Sequence, residues 1–188
     1  MKATELSADD RRALLAVARR TVSEAVGAPA AGSDPKPVVD LSSNGAFVTL
    51  HRRGQLRGCI GTFAAGPSVV STIREMAAAS ALRDPRFYPV GPDELDEIDI
   101  EISLLTPLVE VADPQTIEVG RHGICIEKGY HRGVLLPQVA TENEWDRETF
   151  LSQTCVKAGL PSDTWRNGDL KIEVFEAAVF GEKSEGLR

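Results

Sequence analysis

The chain has 188 residues, enough for one domain with a substantial core, and its 42% hydrophobic and 26% charged content is that of a soluble globular protein. A formal charge of -7 disfavours a general nucleic-acid binder, which carries a basic excess, and no apolar run approaches the length of a membrane span. Three widely spaced cysteines, at 59, 125 and 155, do not make a disulfide framework; with an N-terminus that lacks an apolar signal core, they point to a reducing, cytoplasmic setting.

Leu6 to Val26 reads as a helix capped by Ser7, with Asp10 where a capping-box acid belongs. Leu14, Leu15, Ala18, Val22 and Val26 make its apolar stripe, Arg11, Arg12, Arg19 and Arg20 its wetter side, and Gly27 and Pro29 end it. Ala28 to Pro37 is small and proline-marked, hence a loop. From Gly45 the period becomes alternating: Phe47, Thr49 and His51 against Val48, Leu50 and Arg52. A turn at Arg53-Gly54-Gln55 returns the chain as a second strand, so the region is a hairpin. It gathers His51, Arg52, Arg53, Arg57 and Cys59 into the most cationic spot of an acidic protein.

Pro67 opens a helix over Val69 to Leu82, whose small residues permit close approach to a sheet, and Asp84-Pro85 ends it. Asp84 and Arg86 pair with each other or border a cleft, the pairing being the simpler reading. Ile98, Ile100, Ile102 and Leu104 alternate with Asp99, Glu101 and Ser103, so the acids from Asp93 to Glu101 are the wet face of an antiparallel strand rather than a metal-binding run. Short strands are expected at Val109 to Val111 and Thr116 to Val119, and a hairpin over Gly123 to Glu127 and Arg132 to Leu136. Thr141 and Glu144 form a capping box for a helix from about Asn143 to Ala158, which Gly159 and Pro161 close. A last strand covers Leu170 to Phe180, and the tail from Gly181 to Arg188 is expected to fray. Hairpins with three helices set between groups of strands predict an α+β fold with a mainly antiparallel sheet: one domain over 1–188, in two lobes.

The stretch that departs from plain strand chemistry is Gln55 to Phe63. Gly58 and Gly61 weaken a strand interior, and so mark a bulge or a close approach to the backbone. Arg57 and Cys59, two apart, share one face of an extended strand, where the guanidinium favours the thiolate. The plainer alternative is a small buried cysteine with glycines that only make room for a helix. No Cys-x-x-Cys or His-x-x-x-His spacing predicts a metal site, and no glycine-rich phosphate loop predicts a nucleotide cofactor. A thiol with a neighbouring base is the pattern left, and the candidate bases are His51, close in sequence, and His122, which only the fold brings near.

The strings Phe47-Val48-Thr49-Leu50, Leu56-Arg57-Gly58-Cys59-Ile60-Gly61 and Asp84-Pro85-Arg86-Phe87 occur in that order. They are followed by His122-Gly123-Ile124, Leu135-Leu136-Pro137-Gln138-Val139 and Cys155-Val156-Lys157-Ala158-Gly159-Leu160. In this set the chain resembles AmmeMemoRadiSam system protein A, the AMMECR-domain family. The resemblance implies a cytoplasmic α+β domain with two lobes, a cleft bordered by the Arg57–Cys59 strand, and an activity that the family does not assign. It also implies partnership, in a shared modification pathway, with a Memo-like protein and a radical S-adenosylmethionine protein. The leading expectation is a small enzyme or enzyme subunit that takes a small or peptide-like anionic ligand. Cys59 is its nucleophile and His122 the preferred base; Arg57, Gly58, Gly61, Thr62 and Gln138 hold the substrate. The rival is a scaffold or substrate-presenting subunit in which Arg57 anchors an interface.

Overall fold

The computed structural model describes residues 6–29, 45–64 and 66–188. From residue 30 on, the loop expected over Ala28 to Pro37 lies outside them. Among the described residues the fold is α+β, with four α-helices and antiparallel strands, and the chain divides into two compact units, 1–105 with 178–188 and 106–177. No helix among the described residues is long and apolar enough to cross a membrane.

The first unit begins with α1 (Ala8–Ala25). Ser7 caps it, its Oγ accepting from the Asp10 N–H at 3.1 Å. Leu14, Leu15, Ala18 and Val22 are buried as the stripe predicts. Strands β1 (Ala46–Arg52), β2 (Gln55–Thr62) and β3 (Ile98–Leu105) lie in the order β2-β1-β3, with β1 antiparallel to both neighbours. The hairpin turn is made by Arg53 and Gly54, both at positive φ (53° and 81°), the geometry that a tight β-turn requires. Between β2 and β3 runs α2 (Val69–Leu82), opened by a reciprocal cap between Ser68 and Ser71 one residue after Pro67. Val48, Leu50, Ile73, Ala77, Ile100 and Ile102 close the core between this sheet face and the helices.

The second unit contains β4 (Val109–Glu110), the hairpin β5 (His122–Lys128) and β6 (His131–Leu135), helices α3 (Pro137–Glu142) and α4 (Arg147–Lys157), and most of β7 (Lys171–Gly181). β5 pairs with β6 and β7, and β4 pairs with β7. Its core is built on Ile124, Ile126, Phe150, Leu151, Cys155 and Trp165.

Three local expectations change. The helix expected from about Asn143 begins only at Arg147, after Glu144 at φ 54°, and a separate short helix, α3, precedes it; Asp146, not Thr141, caps α4 by accepting from the Thr149 N–H at 2.8 Å. The strand expected at Thr116 to Val119 does not form; a 3-10 turn over Pro114–Thr116, with Asp113 accepting from the Gln115 N–H, runs up to its start. The tail is tied down rather than frayed. Glu182 is only 5% exposed, accepts from Arg19 through both carboxylate oxygens and from the Ile100 N–H, while Arg11 holds Glu185 at 2.6 Å.

Candidate functional site

The site grows from the pairing of β1 with β2. Leu50 lies opposite Gly58 and His51 opposite Leu56, so Arg57 is an extra residue, a β-bulge. The bulge interrupts the alternation that would put Arg57 beside Cys59 on one face. Instead the Arg57 guanidinium grips Glu94, with Nε to Oε2 and Nη2 to Oε1 both at 2.9 Å, and Nη1 donates to the Tyr88 carbonyl at 2.9 Å. The other basic side chains of the hairpin are also neutralised: Arg52 binds Glu94 and Glu97, and Arg53 binds Glu97. The cationic patch read from the sequence is therefore an ion-pair network. Glu94 is buried within it and is no part of a wet strand face. Arg57 first, then the Gly91 N–H and the Arg52 charge, hold its carboxyl down at about 2 against the opposing effect of burial.

Both glycines of the central string answer to packing. A Cβ on Gly58 would stand 2.2 Å from the Ser80 carbonyl of α2, and one on Gly61 2.1 Å from the Phe47 ring. The Ser80 hydroxyl accepts from the Ile60 N–H at 2.9 Å and donates to the Val48 carbonyl at 2.7 Å, joining β2 to β1 from the helix. Asp84 completes the clamp. Its Oδ2 accepts from the Cys59 N–H at 2.8 Å and from Arg86 at 2.7 Å, and Arg86 returns to the Cys59 carbonyl at 3.2 Å. The Arg86 hydrogen bonds in particular hold the Asp84 carboxyl well below the usual carboxylate range. The Cys59 backbone is thus fixed on both its polar groups.

This fixing presents the Cys59 side chain on the sheet face turned away from α1 and α2. The register sets Cys59, Thr49 and Glu101 in one row across β2, β1 and β3, with His51 and Asp99 facing each other in the next. The Thr49 hydroxyl donates to Cys59 Sγ at 3.3 Å. Cys59 is partly exposed, whereas Cys125 and Cys155 are fully buried, and burial is the first cause that pushes both of those thiols up. Asp99 Oδ1 is buried without a hydrogen-bond partner, and its Oδ2 lies 3.6 Å from Lys183 Nζ.

Of the residues named from sequence, Arg57, Gly58, Cys59, Gly61 and Thr62 gather on β2, where Thr62 Oγ1 accepts from the Ala64 N–H at 3.0 Å. His122 and Gln138 belong to the second unit: His122 opens β5 with Nδ1 accepting from the Glu118 N–H at 3.1 Å, and Gln138 sits on α3. Thr49, Asp99 and Glu101 were read only as one side of alternating strands; their place beside Cys59 follows from register, which alternation alone does not supply. Beside the ion-pair network lies a groove of about 510 Å³ bordered by Arg57, Arg86, Phe87 and Tyr88, with Tyr88 90% exposed. Among the described residues, no group of three or more His, Cys, Asp or Glu side chains is arranged to hold a metal ion.

A model of the AMMECR1 family matches residues 15–180. A protein of Methanothermobacter thermautotrophicus is 43% identical over 194 residues, covering 97% of this chain and 99% of that one. Protein TK0174 of Thermococcus kodakarensis is 46% identical over 183 residues, covering 90% and 89%. Among solved structures, the crystal structure of the uncharacterized protein PH0010 from Pyrococcus horikoshii aligns with a TM-score of 0.80 at 40% identity, over 90% of each chain.

Proposed function

We propose, from the premise that the chain belongs to the AMMECR1 family, that it is a small cytoplasmic enzyme or enzyme subunit acting through the Cys59 thiol. One observation carries the reading. Cys59 is the accessible thiol of the three, its backbone is clamped by Asp84 and Arg86, and its sulfur stands in a row of polar side chains rather than in the core. A purely structural cysteine needs neither the clamp nor the polar row.

The substrate class shifts from the one expected. Arg57 spends its donors inside the protein, and the face around Cys59 carries Asp99 and Glu101, so a neutral or cationic group suits it better than an anionic one. The pathway reading rests on the family resemblance alone: a Memo-like protein and a radical S-adenosylmethionine protein are the partners. A scaffold role is the second reading. Tyr88 favours it, since an exposed tyrosine between Arg57, Arg86 and Phe87 has the composition of an interface anchor.

The test is purification of the tagged chain at native expression under anaerobic conditions, beside its Cys59→Ser variant. The expected result is enrichment of one of the two partners, with added mass on the Cys59 peptide of the parent. A partner recovered with Cys59 always unmodified would favour the scaffold. Absence of both partners, with other complexes recovered, would defeat the pathway.

A further inference from the structure

The geometry points to His51 as the base that takes the Cys59 proton, with Asp99 as the residue that positions it; this rests on the thiol reading above. Three adjacent strands supply the three groups. Cys59 on β2 faces Thr49 on β1, His51 is two residues further along β1 on the same face, and Asp99 on β3 lies directly across from His51. Side chains on one sheet face come within about 5 Å, Cβ to Cβ, when directly opposite and about 7–8 Å on the diagonal, within reach of an imidazole in both directions. The bulge at Arg57 lies beside His51 in the ladder, and bulges add local twist and re-aim side chains.

Asp99 supplies the independent observation. Its Oδ1 is buried and accepts no hydrogen bond, an arrangement that costs free energy unless a donor arrives. The donor assigned to it is a His51 ring N–H, which the register sets directly across from Asp99 and which turns toward Oδ1 as the proton is taken. The proton balance is simple: Cys59 S–H gives its proton to the free ring nitrogen, leaving a thiolate on β2 and an imidazolium whose other N–H is held by the Asp99 carboxylate. Thr49 donates to the sulfur and steadies the anion.

The charged groups facing this set are few. Glu101, in the Cys59 row, opposes a thiolate. Lys183 lies beside Asp99 Oδ2, and the bulged Arg57 is turned to Glu94. The elements on the opposite sheet face, α1 and α2, contribute the apolar core.

The experiment is the rate of Cys59 alkylation by iodoacetamide against pH, resolved by peptide mass. Here the S–C bond forms, the C–I bond breaks and iodide leaves. The parent is compared with His51→Gln, Asp99→Asn and His122→Gln; circular dichroism checks folding, and His51→Asn serves if His51→Gln fails to fold. The expected result at pH 7 is a fall of about tenfold or more in His51→Gln, with the titration midpoint of the rate moved upward. Asp99→Asn should fall in the same direction, and His122→Gln should match the parent. A parent rate and midpoint in the His51 variant would overturn the assignment while leaving Cys59 as the working thiol. A parent whose Cys59 does not label in the folded state would instead defeat the thiol reading itself.

Discussion

Arg57 sits at the bulge of β2, and its guanidinium belongs to Glu94 rather than to the thiol. Two residues from Cys59 in an unbroken strand, it would share a face with the thiol and lower its pKa. One inserted residue cancels that: the bulge sends the guanidinium to Glu94 and to the carbonyls of Tyr88 and Pro89. Arg57→Gln therefore has two separable effects. Glu94 keeps Arg52 and the Gly91 N–H but loses its bidentate partner in a mostly buried setting, so unfolding free energy should fall by about 1–3 kcal/mol. Cys59 alkylation should keep the parent rate. Urea denaturation and thiol labelling of the same preparation check both, and a slowed Cys59 with undiminished stability would return Arg57 to the thiol's side.

At the scale of elements, most of the secondary structure was legible because periodicity and caps are local. Val69–Leu82, the alternation at Ile98 to Leu104 and the two hairpins follow from residue spacing. The misread points are those where one backbone torsion or one proline decides: Glu144 at positive φ delays the start of α4 to Arg147, and Pro114 opens a 3-10 turn that ends where the Thr116 to Val119 strand is expected to begin. The candidate site was legible in part. Gly58 and Gly61 announced a close approach, but whether a ligand or the protein itself fills the space depends on where α2 lies. It is Ser80 that fills it at Gly58. Gly58→Ala should thus push α2 off β2, break the Ser80 bridge and cost about 1–3 kcal/mol as an overpacked site, measured as a lowered thermal midpoint. A Gly58→Ala protein as stable as the parent would mean that the glycine is free to serve a ligand.

Over the whole molecule, Asp84, Glu94 and Glu97 act as internal partners for arginine, and that gives the stability a defined pH dependence. The folded-state pKa of Glu94 is depressed from 4.5 to about 2, so its contribution is present above pH 4.5 and is lost as pH falls toward 2. Asp84 acts in the same sense at still lower pH. Urea midpoints should therefore decline from pH 5 to pH 2.5. Glu94→Gln should be less stable than the parent at pH 6 and should flatten that decline; an equally steep decline in the variant would place the acid sensitivity elsewhere. The tail held by Arg19 was beyond local patterning, since it rests on contacts between residues more than 80 apart in the chain, such as Ile100 with Glu182.

The central claim is that Cys59 is the working thiol, and the most direct measurement is competitive alkylation of the three cysteines in the folded protein at neutral pH. Cys59 should label first and alone on the native timescale, with Cys125 and Cys155, fully buried with burial pushing both thiols up, reacting only after denaturation. Labelling of Cys59 only in denaturant, together with the other two, would contradict the account and make it a structural thiol.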